Sequence, residues 1–596
     1  MRQFFKFLFA SCLGTFLALV LLFFIIVGIG TSMNKSGFGS SGPKSITTNS
    51  VLKISIPDQL PEQTNNIQLE GFSFADKTNL GIHDYAKVIH KAAADPNIKG
   101  IYLLNHTNNH GYASLKIIRD ALIEFKKSGK FIISFGKFLD HKNYYLASVS
   151  DQIYFHPLGF IDLKGFDIVI PFFKELMEKI GLKFNIYYAG EFKSATESFR
   201  LSKMSPENKF QLNEYLMDQY NLYLDQVSEG RNIPKEILKT NFDQFLSYTP
   251  QKALENNLID SLAHETDVFQ YMRMKMNIEE TIAIHFITPE DYYSSKGIDD
   301  ADYGSNNRIA VVFAEGNIID SKGNEGEIGK KYVDLLRDIR DNKNIKSVVL
   351  RINSGGGSAL MSDDILKELD IIRAKGKPVV VSMGDYAASG GYYIACHADS
   401  IFASAHTLTG SIGVFAMIPN INVMTDQKIG IDWDSLGTGP MSTKFNPLFN
   451  WTGVEAKVLQ ENIDHTYDRF LSLVAQGRKM DKAKVHEIAK GRIWSGRKAK
   501  EIGLVNEIGE LNDAIKCAAR LASLDKYRIS EYPTQLDPFQ KIIERFKGGD
   551  EDINSSLKTS LLKSQLGDFY PYYKEWQEIQ QYKGAQMRLP WIIEIQ

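Results

Sequence analysis

Laid on itself, the sequence matches its own second half at a nearly constant offset. Asn97-Ile98-Lys99-Gly100-Ile101-Tyr102-Leu103-Leu104 corresponds to Asn344-Ile345-Lys346-Ser347-Val348-Val349-Leu350-Arg351, 247 residues further on. Gly129 to Gly136 matches Gly376 to Gly384 less closely, and Ala253 to Asp260 matches Ala499 to Asn506 at an offset of 246. An offset held over most of the chain means one domain present twice, so each copy must bury the same pattern of apolar faces. Within each copy, short apolar strands such as Arg308 to Ala314, Ser347 to Ile352 and Val379 to Ser382 alternate with amphipathic helices. That alternation predicts an α/β fold with largely parallel sheets under helical cover.

The repeat divides the chain into a first copy over residues 51–305 and a second over 306–535, with the mostly polar stretch from Asp291 to Asn307 as the join. A tail, 536–596, follows. It begins as linker around Gly548-Gly549-Asp550 and ends in the aromatic and apolar stretches from Phe569 to Trp576 and from Trp591 to Ile595. Three places for it stay open: against the second copy, against another subunit, or at a membrane. A formal net charge of −2 with no basic run gives no hint of a nucleic-acid surface, and no nucleic-acid partner is expected. The three cysteines, Cys12, Cys396 and Cys517, suggest neither a disulfide framework nor a metal site. No His-Glu-x-x-His spacing and no phosphate-binding Gly-Lys-Ser/Thr loop is present, and no cofactor is expected.

The N-terminus carries Arg2 and Lys6 and then an uncharged apolar run from Phe7 to Gly30, long enough to cross a bilayer. No clear small-x-small cleavage site follows. Residues 1–32 therefore read as an uncleaved signal anchor with its positive end in the cytoplasm, and 33–50 as a flexible tether.

The two copies differ where chemistry would sit. In the second, the β-branched run Val379-Val380-Val381 leads into a small-residue turn, Ala387-Ala388-Ser389-Gly390-Gly391, and Tyr392 to Ala398 reads as a helix start. A serine there lies at a helix N-terminus, where unpaired N–H groups favour negative charge. Taken alone, the turn reads first as a tight strand-to-helix connection, and the rest of the chain is what favours a nucleophile there. The first copy has His141 opposite Ser389, and His106 to Gly111 opposite the glycine-rich Asn353-Ser354-Gly355-Gly356-Gly357-Ser358. Conversely, the first copy carries Lys193 in Gly190-Glu191-Phe192-Lys193-Ser194-Ala195, where the second has small or apolar residues around Thr438 to Phe445. One half holds an amine and the other a hydroxyl with its glycine loop, which points to an active site shared between them. Ser389 needs a base. Lys193 can be that base only if burial lowers its pKa from about 10.4. The competing reading is a solvated lysine in a helical ion pair with Glu197, four residues on. His397 and His406 offer a histidine in place of the lysine; His397, two helical turns from Ser389, is too distant.

Four segments, Gly190 to Ala195, Asn353 to Ser358, Ala387 to Tyr392 and Leu408-Thr409-Gly410-Ser411-Ile412-Gly413, occur in this order. Together they resemble the motifs of the signal peptide peptidase A (protease IV) family in its long, duplicated form. The resemblance covers nearly everything from Val51 to about Tyr532. It implies tandem domains related to the Clp protease proteolytic subunit and crotonases, and a Ser/Lys dyad with Ser389 as nucleophile and Lys193 as general base and acid. It further implies an oxyanion hole from the N–H groups of Gly356 and Gly390, and Ser411 as the residue that orients the lysine; Ser411 reads equally as a structural serine in a glycine turn. It implies a homotetramer on the outer, periplasmic face of the bacterial cytoplasmic membrane, degrading cleaved signal peptides and other apolar peptides. Gly355 stands where the family usually has proline, which loosens the loop. The rival readings are a crotonase-type acyl-CoA hydratase or isomerase, and a catalytically silent membrane scaffold.

Overall fold

The computed structural model describes residues 46–535 apart from 59, 67–77, 107, 297–303 and 324–325, together with 584–589 and a few isolated positions near the two ends. All of the apolar run from Phe7 to Gly30 except Gly14 and Thr15, most of the tether and most of the tail lie outside the described residues. Among the described residues no helix is long and apolar enough to cross a membrane.

Each copy builds a parallel sheet. In the first, the spatial order is Ser261–Leu262, Gln152–Asp162, Phe131–Asp140, Ile98–Asn105, Ser50–Ile54 and His285–Ile287, all parallel. In the second, Glu507–Ile508, Ser400–Ala403, Val379–Ala388, Ile345–Ser354, Arg308–Glu315 and Arg528–Tyr532 follow one another in the same order and sense. Even the register repeats: Ile101 faces Ile132 in one sheet and Val348 faces Val379 in the other, each pair 247 residues from its counterpart. Val379, Val380 and Val381 are fully buried, each worth roughly 1.5–3 kcal/mol in apolar burial.

The copies are interlocked rather than strung together. Ala388, Leu408 and Ile493 of the second copy pack into the hydrophobic core of the first. Fully buried Arg351 of the second copy is held by Glu62 of the first at 2.9 and 3.2 Å, and Asp385 accepts from Ser114 N and Oγ. The Arg351 guanidinium and His83 offset the desolvation of Glu62 and hold its carboxyl down at about 2. A third sheet then crosses the join: Lys183–Ala189 of the first copy runs antiparallel to Val414–Asn420 of the second, with Ala189 facing Val414.

Two local expectations are corrected. The join begins as a helix, Pro289–Lys296, because Tyr292 is drawn into the first core and its hydroxyl reaches Asp95 at 3.2 Å. The strand before Ser389 does not stop at Ser382 but runs to Ala388, since Tyr386, Ala387 and Ala388 pair with Leu408, Thr409 and Gly410.

Candidate active site

That extended strand leaves a single residue to make the turn. Ser389 has φ 55° and ψ −114°, a conformation costly for any residue with a side chain, of order 1–3 kcal/mol. It is held there by its N–H to Gly410 O at 2.8 Å and by Tyr393 N donating to its carbonyl at 2.8 Å. The helix that follows is Gly390–Ala395, so the Gly390 N–H stands at a helix N-terminus, where no intrahelical acceptor exists.

Lys193 arrives from the other copy. It lies four residues beyond Ala189, while Ser411 lies three before Val414, so the antiparallel pair of strands delivers both to one point. Lys193 Nζ is 2.7 Å from Ser389 Oγ, 3.0 Å from Ser411 Oγ and 3.1 Å from Ser411 O. Two glycines allow the approach. A Cβ on Gly491 (φ 81°) would lie 2.6 Å from Lys193 N, and one on Gly190 (φ 108°) would lie 2.5 Å from the Lys490 carbonyl. Phe192 N donates to that same carbonyl at 2.8 Å.

The ion-pair alternative for Lys193 is overturned. Glu197 turns away, accepting from Ser205 Oγ at 2.6 Å and Asn208 Nδ2 at 3.0 Å, with Arg200 at 3.6 Å. Lys193 begins a 3-10 turn, Ser194–Thr196, instead of a helix, so the four-residue spacing does not align the two side chains. The lysine is 1% exposed, and burial alone drives its pKa well below the ordinary 10.5.

Neither histidine engages the serine. His397 lies past the helix end and bonds Asp370 at 2.9 Å and Leu473 O at 3.1 Å. His406 has both ring nitrogens taken, by Gln219 at 2.8 Å and Gln226 at 2.9 Å, and burial lowers its pKa to about 3.

The glycine loop forms a short strand, Gly356–Ser358, against the turn. A Cβ on Gly356 would lie 2.6 Å from Gly390 N, and one on Gly390 would lie 3.1 Å from Gly357 N. In this structure the Gly356 N–H donates to Ser354 Oγ at 3.1 Å. Gly355 has room for a side-chain carbon, whose nearest neighbour would be Leu589 at 3.6 Å.

The sequence profile of Peptidase family S49 matches residues 124–279 and 371–525, one stretch in each copy. The chain belongs to this family. Protease 4 of Haemophilus influenzae is 34% identical over 523 residues, spanning 85% of this chain and 84% of that protein. A chloroplastic serine protease SPPA of Arabidopsis thaliana is 29% identical over 484 residues, 80% of this chain and 69% of that protein. Among solved structures, a ClpP1 mutant from Listeria monocytogenes covers 34% of this chain and 94% of its own at 19% identity, with a TM-score of 0.24. This S49 peptidase is therefore a serine protease, and the acyl-CoA hydratase or isomerase reading falls away.

In this S49 peptidase the first matched stretch holds Lys193 and the second holds Ser389 and Ser411. Sequence reasoning missed the part that joins them. Gln211, buried on helix Pro206–Arg231, donates to Phe192 O at 3.0 Å and Ser194 Oγ at 3.3 Å, and accepts from Ile493 N at 3.1 Å. It clips the lysine segment to the second copy. A lone glutamine on a long helix gave no signal for this; Gly491, the second residue missed, stands in a small Lys-Gly-Arg turn that could have been singled out.

Proposed function

We propose that this peptidase is a membrane-anchored endopeptidase in which Ser389 attacks the peptide carbonyl and Lys193 is general base and then general acid. The observation that carries the reading is the 2.7 Å separation of Lys193 Nζ from Ser389 Oγ at a buried site where, among the described residues, no carboxylate is a partner of the lysine. A neutral amine has two N–H donors and one lone pair. Ser411 O and Oγ take the donors, and the lone pair receives the Ser389 hydroxyl proton. Ser411 thus aims the base before reaction and stabilises the ammonium formed during it. The tetrahedral oxygen would be held by Gly390 N–H and by Gly356 N–H, which exchanges Ser354 Oγ for the new anion. Lys193 then protonates the leaving amine and activates the water that releases the acyl group.

Cleaved signal peptides and other apolar peptides are the proposed substrates, the anchor over residues 1–32 keeping the site at the outer face of the membrane. A homotetramer is proposed with it. The strand pair that joins the copies has an unpaired counterpart in each: Gly165 to Pro171 resembles Gly413 to Pro419, and Gly430 to Gly439 corresponds to Gly181 to Gly190. Neither counterpart forms a strand, and Val169, Trp433 and Leu436 are 78, 44 and 102% exposed. The same pairing made between chains would bury them and build a closed ring.

The test is digestion of a released signal peptide by the intact protein, Ser389→Ala and Lys193→Ala, with labelling of Ser389 by a fluorophosphonate. Equal activity in all three removes the mechanism. Absence of both cleavage and labelling in the intact protein leaves the silent scaffold.

A further inference from the structure

The glycine loop has a neighbour that the dyad does not require. Gln586–Arg588, from the C-terminal tail, lies antiparallel to Gly356–Ser358, with Met587 facing Gly357, and on its other edge Gln586 faces Phe415. Leu589 N donates to Gly355 O at 2.9 Å and Ala359 N to Ala585 O at 3.3 Å, so the pairing extends past both ends of the strand. Without these residues, Gly356–Ser358 and Val414–Asn420 would be two open edges, one strand apart, about 9–10 Å. Such a gap accepts one extended peptide through main-chain hydrogen bonds, whatever its sequence.

The tail strand also reaches the reacting position. A Cβ on Gly356 would lie 2.1 Å from Met587 O and one on Gly390 would lie 3.0 Å from it, so the Met587 carbonyl rests against both glycines beside Ser389. The Met587 side chain is fully buried in the second copy's apolar core, an unbranched side chain in a site closed to water. Leu589 packs over Gly355.

We propose that Gln586–Arg588 occupies the slot that holds a substrate's backbone, with Met587 at the residue whose carbonyl would be attacked, so that the protein carries its own competitor. This rests on the Ser389 and Lys193 reading above. A tethered occupant acts at an effective concentration of order millimolar, and a substrate must displace it. Its signature is a raised KM at unchanged kcat.

The experiment compares the full chain, the chain ending at residue 583, and full-length Met587→Glu, on an internally quenched extended peptide with an apolar residue at the cleaved bond. The expected result is a KM lower by about 10–100-fold in both variants with kcat within about twofold, and competitive inhibition of the shortened chain by the synthetic peptide 584–596. The proposal is overturned if both variants keep the full chain's KM, or if the peptide does not compete. Met587→Glu guards against misfolding of the shortened chain. Binding of fluorescent 584–596 to the shortened chain carrying Ser389→Ala, read by anisotropy, needs no turnover. Binding without activity in any form supports the slot and sinks the dyad; activity without binding sinks the slot and leaves the dyad.

Discussion

His141 and Ser389 occupy the same place in two copies of one sheet. Asp140 faces Asp162 at the end of one strand and Ala388 faces Gly410 at the end of the other, and the next residue is the histidine in the first case and the serine in the second. His141 is used as core: its ring sits edge-on to Phe166, Tyr223 and Phe242, Nδ1 meets Tyr223 Oη at 3.0 Å, and burial lowers its pKa to about 4. Ser389 is instead held at positive φ, facing a lysine that belongs to the other copy. On the proposed Ser389 and Lys193 mechanism, the difference teaches that two copies of one sheet can divide a site, each holding the half that the other lacks. The first copy's turn is packed as core, and the second has the strained turn and no amine at the position of Lys193.

Breaking the serine half has the largest expected effect. Ser389→Ala should lower kcat on a peptide substrate about 10⁶-fold, whereas His141→Ala should leave kcat near that of the intact protein and cost about 2–3 kcal/mol in urea unfolding. A strong loss of kcat in folded His141→Ala would show that the first turn is not merely core.

Next comes the lysine half. Lys193→Met should lose nearly as much activity as Ser389→Ala, and the double variant little more, because the pair acts as a unit. Its stability should move the other way. The unfolded chain holds the lysine proton up to about 10.5 and the folded chain releases it far lower, so this group costs progressively more stability as pH falls between those two values. Lys193→Met removes that cost, and a melting temperature at pH 7 that rises, or at least does not fall, is the check. For the intact enzyme, kcat/KM should fall on acidification through the lysine's lowered pKa; an acid limb unchanged in position across dyad-retaining variants, and absent from none, is the expected profile.

A pair of glycines sharpens the contrast at intermediate size. Gly190→Ala places a methyl 2.5 Å from the Lys490 carbonyl and should cost roughly 10²-fold in kcat by displacing the amine. Its counterpart Gly439 has nothing within 4 Å of a built Cβ, so Gly439→Ala should be silent in the same assay. Smallest is Ser411→Ala, which keeps the Ser411 carbonyl but removes one bond to Lys193. About 10-fold in kcat, with KM unchanged, is expected.

Much of this could be read in the one-dimensional chain. The repeat offset set two like sheets: the apolar runs at Ile98 and Phe131 became adjacent parallel strands in one, and those at Ile345 and Val379 in the other, as apolar runs buried on both faces do. Lys193 and Ser389 stood out because each is missing from the other copy. The length of the Val379–Ala388 strand was not legible, since its last residues are held by Leu408–Gly410 and Ser354, which lie some twenty or more residues away in sequence. The Gln211 clip was not legible either, because one amide on a helix has meaning only when both of its partners are in place.

The sequence by itself determined that a domain occurs twice, what each copy kept, and which residue types were candidates for base and nucleophile. Those are properties of pattern and composition, carried along the chain. The tertiary structure alone decided that the amine is dry and turned from Glu197, that it reaches Ser389 across the join, and that a strand from the far end of the chain lies beside both glycines. The physical reason is that desolvation and strand pairing depend on which distant segments are brought within a few ångströms, and that information does not reside in any local stretch.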